Sequence, residues 1–573
     1  MLYVLTFGRW GLVIIDSFRE PFIASQMLEG AVLYKDLAYL FGPFIPCLYA
    51  VLFSLFGVNL IPLYLINGLM TLLYSLILYY LSRQILSIKS SVVVVLLFFF
   101  VCAFFPTLKN YIFTYTASAS YGSFFAIATL ACFVYHFKSQ KNNILYFAAL
   151  LSALTFLTKH EFAVAVSLLW LFYLIFSRFF ISTSLKIYIL PIILFAAIAV
   201  IPYWLFIVPA GYSNILAIVM PVEAINSLEH YHHYFIRSGI TLESVTAGVF
   251  FFAFFAFISS AVILLAYFYQ IYRQKSLYLP LVITTLALMA FCGWLYLSPG
   301  AARIVAAFTG QNFMKFFAGT NFIILIVAII SYRKLRGDIK HKILFLYCIF
   351  SIFISLRSPL FLSLETYGIY YLPVGLIILI YFFKKIIPEW LKSYFNTQKL
   401  HQSVNVLFFL IICFFLFTST GLYIKKSYQL KYGDRGFIMV ENSLGKYLES
   451  VLTFLRSNTV EGQVIYVIPE ESFYYYFTKT RSPSRYFYTD AAWFKGNKSA
   501  ECQLINDLTN RKPEYIIISN IKRNSYGIKA FGEDFCSDLN SWIHQNYSIE
   551  KIISTRFALN EDYYYQIFIY KPN

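Results

Sequence analysis

The 573-residue chain is strongly apolar: 60% of its residues are hydrophobic, 13% are charged, and the mean hydropathy is +0.69. A soluble fold of this length does not need so apolar a composition, because the buried fraction of the surface levels off as chains grow. The composition excludes an ordinary soluble protein and predicts a polytopic α-helical membrane protein. The formal charge of +18 could suggest a nucleic-acid partner, but its distribution, described below, argues against one.

Residues 1–15 form the first apolar segment and fall short of a full membrane span. As a helix they would rise only ~22 Å, and Arg9 interrupts them. Either the segment is short and partly interfacial, or the true first span lies upstream of residue 1. A cleaved signal peptide is disfavoured, because the segment has neither a basic leader nor a small-residue cleavage site.

The next segment, 16–43, is rich in charge. Asp16, Arg19, Glu20, Glu29, Lys35 and Asp36 fall within 21 residues. An ionised side chain at the centre of a membrane helix costs roughly 2.5–3.5 kcal/mol, so this segment is predicted to be a loop. Its Gly, Pro and aromatic residues favour a packed cap over a flexible tether. The alternative is a solvated helix end whose charges pair with one another.

Apolar runs long enough to cross a hydrocarbon core of ~30 Å then recur along the chain. We predict twelve further spans, at 61–83, 91–108, 117–137, 143–158, 162–180, 187–208, 244–272, 277–298, 319–332, 341–357, 360–383 and 403–424. With residues 1–15 as a possible thirteenth, the predicted fold has about 12–13 transmembrane helices.

Basic residues are concentrated in the loops on one side of these spans. That side holds Arg83, Lys89, Lys138, Lys141, Arg178, Lys186, Arg273, Lys275, Arg333, Lys334, Arg336, Lys340, Lys342, Lys384, Lys385, Lys392 and Lys399. Apart from the opening loop, the loops on the other side hold far fewer: Lys109, Lys159, Arg237, Arg303, Lys315 and Arg357. The positive-inside rule therefore places the loop 16–60 and the C-terminus outside the cytoplasm, with the protein in the inner or plasma membrane.

The composition changes near residue 428, which predicts a transmembrane domain at 1–428 and a small extracytoplasmic α/β domain at 429–573. In the second domain, periodicity predicts helices at 444–457, 498–511 and 534–546, and strands at 463–468, 515–519 and 563–570. The mixed order allows a partly parallel sheet. Cys502 and Cys536 lie in this domain and are either disulfide-bonded or two unpaired thiols. The other six cysteines lie in apolar runs and are predicted to be core residues.

The loop after residue 15 resembles that of the GT-C glycosyltransferases, in particular the bacterial relatives of protein O-mannosyltransferases and lipid A aminoarabinose transferases (family 39-like). The resemblance rests on Asp16, on Arg19 three residues later, on ML-x-G at Met27–Gly30, and on the LYKD…GP run at Leu33–Pro43. It implies transfer of a sugar from a polyprenyl-phosphate donor to a glycan, lipid or protein acceptor on the external face. It also implies that Asp16 is the catalytic base.

In such a reaction cations must hold the phosphate while its charge develops. The resemblance points to Lys159, in Lys159-His160-Glu161, as a phosphate ligand, with Arg357 and Arg303 as further candidates. Arg19, Glu20, Asp36 and Glu161 are predicted to support the site. The plain alternative for Lys159 and the arginines is a cation that extends from a helix end to the membrane surface.

Metal binding is the least supported expectation. Some GT-C enzymes hold a divalent ion with acids from two external loops, but the second loop here, 106–118, has no acid. No metal ligand or cofactor is therefore predicted, and a divalent ion remains an alternative. His230, His232 and His233 could ligate a metal. Tyr111 and Tyr115 could stack on a sugar or anchor at the membrane interface, and the aromatic run after Glu471 could bind sugar or pack on the membrane domain.

Two other functions fit the composition. A transporter or flippase for lipid-linked sugars would carry polar residues at mid-membrane and internal repeats, whereas these charges cluster at the external edge. A polytopic ligase that attaches whole glycans would need more arginines near a late external loop than Arg303 and Arg357. The sequence favours a membrane glycosyltransferase.

Overall fold

The computed structural model of the chain describes residues 2–106, 109–181, 183–219, 241–273, 317–362, 364, 367–521, 531–533, 535–556 and 564–573. The apolar part is helical. Its helices are Leu2–Leu5, Arg19–Leu28, Phe44–Phe56, Leu60–Arg83, Ile88–Leu97 with the π-helical continuation Phe98–Ala103, Ala117–Ser139, Asn143–Phe156, His160–Phe180, Lys186–Ala210, Tyr212–Val219, Leu242–Arg273, Thr320–Arg333, Ile339–Ile354, Gly368–Tyr381 with its continuations Phe382–Ile386 and Ile387–Leu391, and Thr397–Lys425.

Seven of the described helices are long and apolar enough to cross a membrane, fewer than the twelve predicted spans. They are Leu60–Arg83, Ala117–Ser139, His160–Phe180, Lys186–Ala210, Val245–Tyr272, Gly368–Leu391 and Thr397–Lys425. Several predicted spans form apolar helices of 10–17 residues, among them Ile88–Ala103, Asn143–Phe156 and Thr320–Arg333. At ~1.5 Å per residue these are shorter than a hydrocarbon core. The predicted span 277–298 lies outside the described residues.

The helix ends follow the polar residues of the sequence. Asn59 accepts a hydrogen bond from the backbone of Ile61 at the start of its helix, and Asn396 does the same from Lys399. Such caps satisfy amide groups that have no partner within the helix. Ala117–Ser139 is almost fully buried and lies at the centre of the bundle, whereas Lys186–Ala210 is largely exposed and forms a lipid-facing edge.

The helix ends that are joined by the basic loops lie close to one another. Lys138 donates to Gln84 at 2.9 Å, Lys384 donates to Ser90 at 3.1 Å, and Tyr347 donates to the carbonyl of Leu81 at 2.8 Å. The loops that the charge pattern assigns to one side are therefore neighbours in space. The opening loop, defined here as residues 16–43, contacts the opposite ends of the helices.

Residues 2–15 do not form a spanning helix, in agreement with the prediction that this segment falls short of a full span. After the short helix Leu2–Leu5 the chain makes turns that pack on the end of Thr397–Lys425. Lys426 donates to the carbonyls of Arg9 and Gly11 at 2.9 Å each. Arg9, the interrupting charge, donates to the carbonyl of Tyr423.

The tail domain, defined here as the chain from Tyr428 onward, begins three residues after the last long apolar helix ends. Its helices are Asn442–Asn458, Phe473–Thr478, Ala491–Phe494, Lys498–Asn510 and Ser537–Asn546, and its strands are Tyr428–Lys431, Phe437–Val440, Ile465–Ile468, Tyr515–Ser519, Tyr547–Arg556 and Tyr564–Pro572. The first two strands pair as an antiparallel hairpin. We keep residue 428 as the proposed domain boundary.

The other four strands form one sheet in which Ile465–Ile468 and Tyr515–Ser519 are parallel, as the mixed order allowed. Tyr564–Pro572 and Tyr547–Arg556 add antiparallel neighbours. The strand Tyr547–Arg556 was missed in the sequence, because Glu550 and Lys551 interrupt its apolar pattern. Cys502 is exposed, Cys536 is buried, and both are free thiols, so the second of the two cysteine alternatives holds.

The tail domain packs directly on the opening loop. The ring of Phe22 stacks on Tyr475 at 4.9 Å and lies 5.0 Å from Phe487. The backbone amide of Ala38 donates to the carbonyl of Arg485 at 2.9 Å. The aromatic run after Glu471 therefore packs against the membrane domain, which was the structural alternative for that run.

Candidate active site

Asp16 lies at a tight turn just before helix Arg19–Leu28. Its backbone has a φ of 39°, in the left-handed region that Asp adopts more readily than most residues. The Asp16 carbonyl accepts from the amide of Arg19 at 2.9 Å, and Asp16 Oδ1 accepts from Arg19 Nη1 at 3.0 Å. The spacing of three residues thus becomes an ion pair at the start of the helix.

Arg19 is buried, with 3% of its surface exposed. Its Nη1 also donates to the hydroxyl of Tyr488 at 3.4 Å, and its Nη2 to the carbonyl of Tyr115 at 3.5 Å. Among the described residues, its Nε has no hydrogen-bond partner. A buried donor left unpaired costs roughly 1–3 kcal/mol, so this N–H is suited to an oxygen atom of a bound ligand.

Glu20 connects the opening loop to the start of helix Ala117–Ser139. Its Oε1 accepts from the hydroxyl of Tyr39 at 3.0 Å and from Thr116 Oγ1 at 2.5 Å. Burial raises the pKa of Glu20, and the nearby guanidinium of Arg19 opposes that rise. Tyr39 is also hydrogen-bonded to Ser118 at 2.8 Å. Glu20 therefore fixes the position of Arg19 rather than facing solvent.

Lys159 is the junction residue between helices Asn143–Phe156 and His160–Phe180. Only 3% of its surface is exposed, so it does not extend to the membrane surface as the plain alternative proposed. Its Nζ donates to the hydroxyl of Tyr115 at 3.0 Å and lies 3.3 Å from Oε1 of Glu161. Next to it, the amide of Gly42 donates to the carbonyl of Thr158, which joins the opening loop to this junction.

Glu161 brings a second cation to the same place. Its Oε2 lies 2.7 Å from Nη1 of Arg357, and its Oε1 accepts from the hydroxyl of Tyr371 at 3.0 Å. Arg357 follows helix Ile339–Ile354 in the sequence, about 200 residues after Lys159. Three of the predicted residues, Lys159, Glu161 and Arg357, are therefore brought into one cluster.

Aromatic rings lie between the cations and contact them. The ring of Tyr367 lies 3.9 Å from both Lys159 Nζ and Arg357 Cζ. Burial raises the pKa of the Tyr367 hydroxyl. The positive charges of Lys159 and Arg357 lower this pKa by a larger amount, so it lies below the usual value for tyrosine. The ring of Phe41 lies 5.2 Å from Arg19 Cζ and 4.9 Å from Lys159 Nζ. Phe41 thus stands between the Arg19 and Lys159 clusters and makes them one site.

Two predicted residues are not part of this site as described. Asp36 lies in the exposed turn of the opening loop, where its Oδ2 accepts from the amide of Val32 at 2.9 Å. Arg303 lies outside the described residues, as do His230, His232 and His233. The described residues contain no group of three or more His, Cys, Asp or Glu side chains close enough to hold a metal ion.

The aromatic members of the site were missed in the sequence. The chain has 48 tyrosines and 62 phenylalanines, and no spacing distinguishes Tyr39, Phe41, Tyr367 and Tyr488 from the rest. Tyr115, predicted either to stack on a sugar or to anchor at the membrane interface, is buried between Arg19 and Lys159. Tyr111, the other member of that loop, is a core residue whose hydroxyl donates to the carbonyl of Ile369.

Comparison with known proteins agrees with this architecture. Residues 41–206, less than a third of the chain, match the family model named dolichyl-phosphate-mannose-protein mannosyltransferase. The chain superposes on ArnT from Cupriavidus metallidurans bound to undecaprenyl phosphate, with a TM-score of 0.52 at 11% identity. That match covers 99% of this chain and 96% of ArnT. The chain therefore has the fold of ArnT, which is the GT-C fold.

A second GT-C structure shows the same fold. The Archaeoglobus fulgidus oligosaccharyltransferase, tethered to an acceptor peptide with an NVT sequon, matches with a TM-score of 0.51 at 12% identity, over 96% of this chain and 71% of that one. No curated protein sequence matches the chain. The predicted GT-C fold is confirmed, while the activity of this chain and the roles of its individual residues are proposals.

Proposed function

We propose that this protein transfers a sugar from a polyprenyl-phosphate-linked donor to a glycan, lipid or protein acceptor on the external face of the inner or plasma membrane. The observation that carries the proposal is the buried pair of cations, Arg19 and Lys159, on either side of Phe41 and next to Asp16. Buried charges are costly unless they are paired or bind a ligand. The GT-C fold adds the expectation that the ligand is a lipid-linked phosphate.

The reaction needs one base and no strong acid. The acceptor oxygen or nitrogen forms a bond to the anomeric carbon, and the bond from that carbon to the phosphate oxygen breaks. The electron pair stays on the polyprenyl phosphate, which is a stable anion and needs no proton in order to leave. The acceptor proton passes to Asp16, whose Oδ1 is held by Arg19 and whose Oδ2 can face the acceptor.

The phosphate is assigned to Lys159 and Arg357. Both lie 3.9 Å from the ring of Tyr367, and Glu161 holds each through a different carboxylate oxygen. A pair of fixed cations stabilises charge that grows on the leaving phosphate without further rearrangement. The unpaired Nε of Arg19 adds a third donor on the other side of Phe41. Arg303 remains a predicted phosphate ligand.

The base assignment is tested with Asp16→Asn in purified, reconstituted protein supplied with polyprenyl-phosphate sugars. We expect transfer to fall by about 100-fold or more, the usual size of a lost general base, while expression and membrane insertion stay at the wild-type level. Asp36→Asn is the matched control, because Asp36 lies on the same loop but only caps its own turn. Near wild-type turnover in Asp16→Asn would overturn the assignment.

The phosphate assignment is tested with Lys159→Ala, which should raise the donor KM more than the acceptor KM. Lys35→Ala, which changes an exposed lysine of the opening loop, is the control. An unchanged donor KM would remove Lys159 from the site.

Mass spectrometry of cell-surface glycans and polyprenyl-phosphate sugars, with and without the protein, identifies the substrates. Accumulation of one donor with loss of one glycan substituent supports a glycosyltransferase. If the donor instead accumulates only on the cytoplasmic side, the protein is a transporter. If a whole glycan is lost together with an accumulated pyrophosphate carrier, the protein is a glycan ligase.

A further inference from the structure

One side chain in the candidate site comes from the tail domain. Tyr488 lies 469 residues after Arg19 in the sequence, and its hydroxyl accepts a hydrogen bond from Arg19 Nη1 at 3.4 Å. Its ring centre lies 5.9 Å from Arg19 Cζ. The same Nη1 holds Oδ1 of Asp16. The tail domain therefore contacts the group that orients the proposed base.

Tyr488 is held rigidly where it makes this contact. Its ring packs 5.1 Å from Trp493 and 4.8 Å from Phe487, and it is 2% exposed. The amide of the next residue, Thr489, donates to the carbonyl of Pro469 at 2.8 Å, which fixes the backbone to the end of strand Ile465–Ile468. Because the ring and the backbone of Tyr488 are both held in place, its hydroxyl is a preorganised acceptor.

Arg19 depends on such an acceptor because several groups compete for it. Asp16 and Glu20 lie on two sides of the guanidinium, at 3.0 and 3.7 Å, and rings of Tyr39 and Phe41 cover it. The Tyr488 hydroxyl directs Nη1 towards Asp16. Without it, rotation of the guanidinium towards Glu20 is less opposed, and Oδ1 of Asp16 is released.

We propose that Tyr488 is a positioning residue that holds Arg19, and through it Asp16, in the geometry for proton transfer, so that the tail domain completes the active site. The proposal rests on the proposed glycosyltransferase function. It adds a specific role for the tail domain that neither Asp16 nor the phosphate ligands supply.

The first test compares Tyr488→Phe with Tyr486→Phe in the full-length protein. Tyr488→Phe keeps the ring and removes only the hydroxyl. The lost hydrogen bond is long, at 3.4 Å, so we expect kcat to fall by the size of an ordinary hydrogen bond, roughly five- to tenfold. The donor KM should stay within about twofold, because Lys159 and Arg357 are untouched. Tyr486 is a fair control: it is also buried and packs on Trp493, but its hydroxyl accepts from Arg485.

The outcomes are decisive in both directions. An unchanged kcat in Tyr488→Phe overturns the proposal. An equal fall in Tyr486→Phe also overturns it, since the effect would then come from general packing of the tail domain. If the wild-type protein transfers no sugar, it is the proposed function that fails, and the role of Tyr488 falls with it.

A double-mutant cycle tests whether Tyr488 acts through Arg19. Single-turnover rates are measured with enzyme in excess for Arg19→Lys, Tyr488→Phe and the double variant. Residues that act as a unit are not additive, so Tyr488→Phe should change the rate by less than about twofold in the Arg19→Lys background. A fall as large as in the wild-type background would show that Tyr488 acts independently of Arg19.

Discussion

Glu471 is a carboxyl group buried in the tail domain, with 1% of its surface exposed. Its Oε1 accepts from the hydroxyl of Tyr565 at 2.8 Å. Burial raises the pKa of Glu471 to about 7, and the hydrogen bond from Tyr565 opposes the shift. The protonated form is therefore favoured in the folded protein, whereas an unfolded Glu ionises near ~4.3.

This shift predicts a loss of stability as the pH rises. The stabilisation is fully present below the unfolded pKa and is lost as the pH rises through the folded pKa, between about 4.3 and 7. Glu471→Gln cannot ionise, so its stability relative to wild type should increase from pH 5 to pH 8 by up to about 3 kcal/mol. Thermal unfolding of the purified protein at the two pH values measures this change.

Glu514→Gln provides the comparison, because Glu514 is exposed at the edge of the same domain. The change in stability relative to wild type between pH 5 and pH 8 should be larger for Glu471→Gln than for Glu514→Gln. If Glu471→Gln behaves in the same way, Glu471 is ionised in the folded protein and the buried-carboxyl interpretation is wrong.

At the scale of single residues, the sequence predicted the charged half of the candidate site. Arg19, Glu20, Lys159, Glu161 and Arg357 could be predicted because charges are rare in this chain and costly in a membrane. The aromatic half, such as Tyr367 and Tyr488, could not. Aromatic side chains make up 20% of the chain, and only their distance from a cation in the folded protein distinguishes those in the site.

At the scale of elements, the opening loop is positioned by a close backbone approach at Gly42. A Cβ atom at this position would collide with the backbone carbonyl of Leu157, in the junction that presents Lys159. The amides of Gly42 and Phe44 donate to Thr158 and Leu157 at 3.0 Å each. Because the obstacle is backbone, it cannot move aside as a side chain would.

Gly42→Ala should therefore displace the loop and with it Phe41, which contacts both Arg19 and Lys159. We expect a loss of transfer of at least tenfold and a destabilisation of about 1–3 kcal/mol, typical of overpacking. Gly375→Ala is the control, since a Cβ there meets its nearest atom at 3.5 Å, an ordinary contact. Equal activity of the two variants would show that the loop tolerates this displacement.

The elements themselves could be predicted where their pattern was long and regular. Helices such as Leu60–Arg83 and Thr397–Lys425 follow the apolar runs closely. Hydropathy did not separate full spans from shorter apolar helices, because both have the same composition and differ only in length. Phe44–Phe56 was placed within the first loop; it has 13 residues, about 20 Å as a helix, and packs under the opening loop.

At the scale of the whole molecule, the site lies where the membrane domain meets the tail domain. The opening loop contributes Asp16 and Arg19, two helix ends contribute Lys159 and Arg357, and the tail contributes Tyr488. No local sequence pattern links residues so far apart, which is why the site could be predicted as a list of charges but not as an arrangement. The arrangement also requires the tail domain and the opening loop to be on the same side of the membrane.

The side of the membrane is a prediction from the charge asymmetry, and a native thiol can test it. Cys502 is exposed on the tail domain. The basic loops, including exposed Lys141, lie at the opposite helix ends. Under the positive-inside rule the tail is external. A membrane-impermeant maleimide should therefore label Cys502 in intact cells, and Cys502→Ser should remove this labelling.

A cysteine on the opposite side of the membrane completes the test of topology. In a Cys502→Ser background, Lys141→Cys should be labelled only after the membrane is permeabilised. Labelling of Lys141→Cys in intact cells, together with protection of Cys502, would show that the protein has the opposite orientation in the membrane. Asp16, Lys159 and Tyr488 would then face the cytoplasm, where a different pool of lipid-linked sugars would have to supply the donor. Because the contacts of Arg19 with Asp16 and Tyr488 do not depend on which side they face, that outcome would change the substrate and leave the geometry of the site intact.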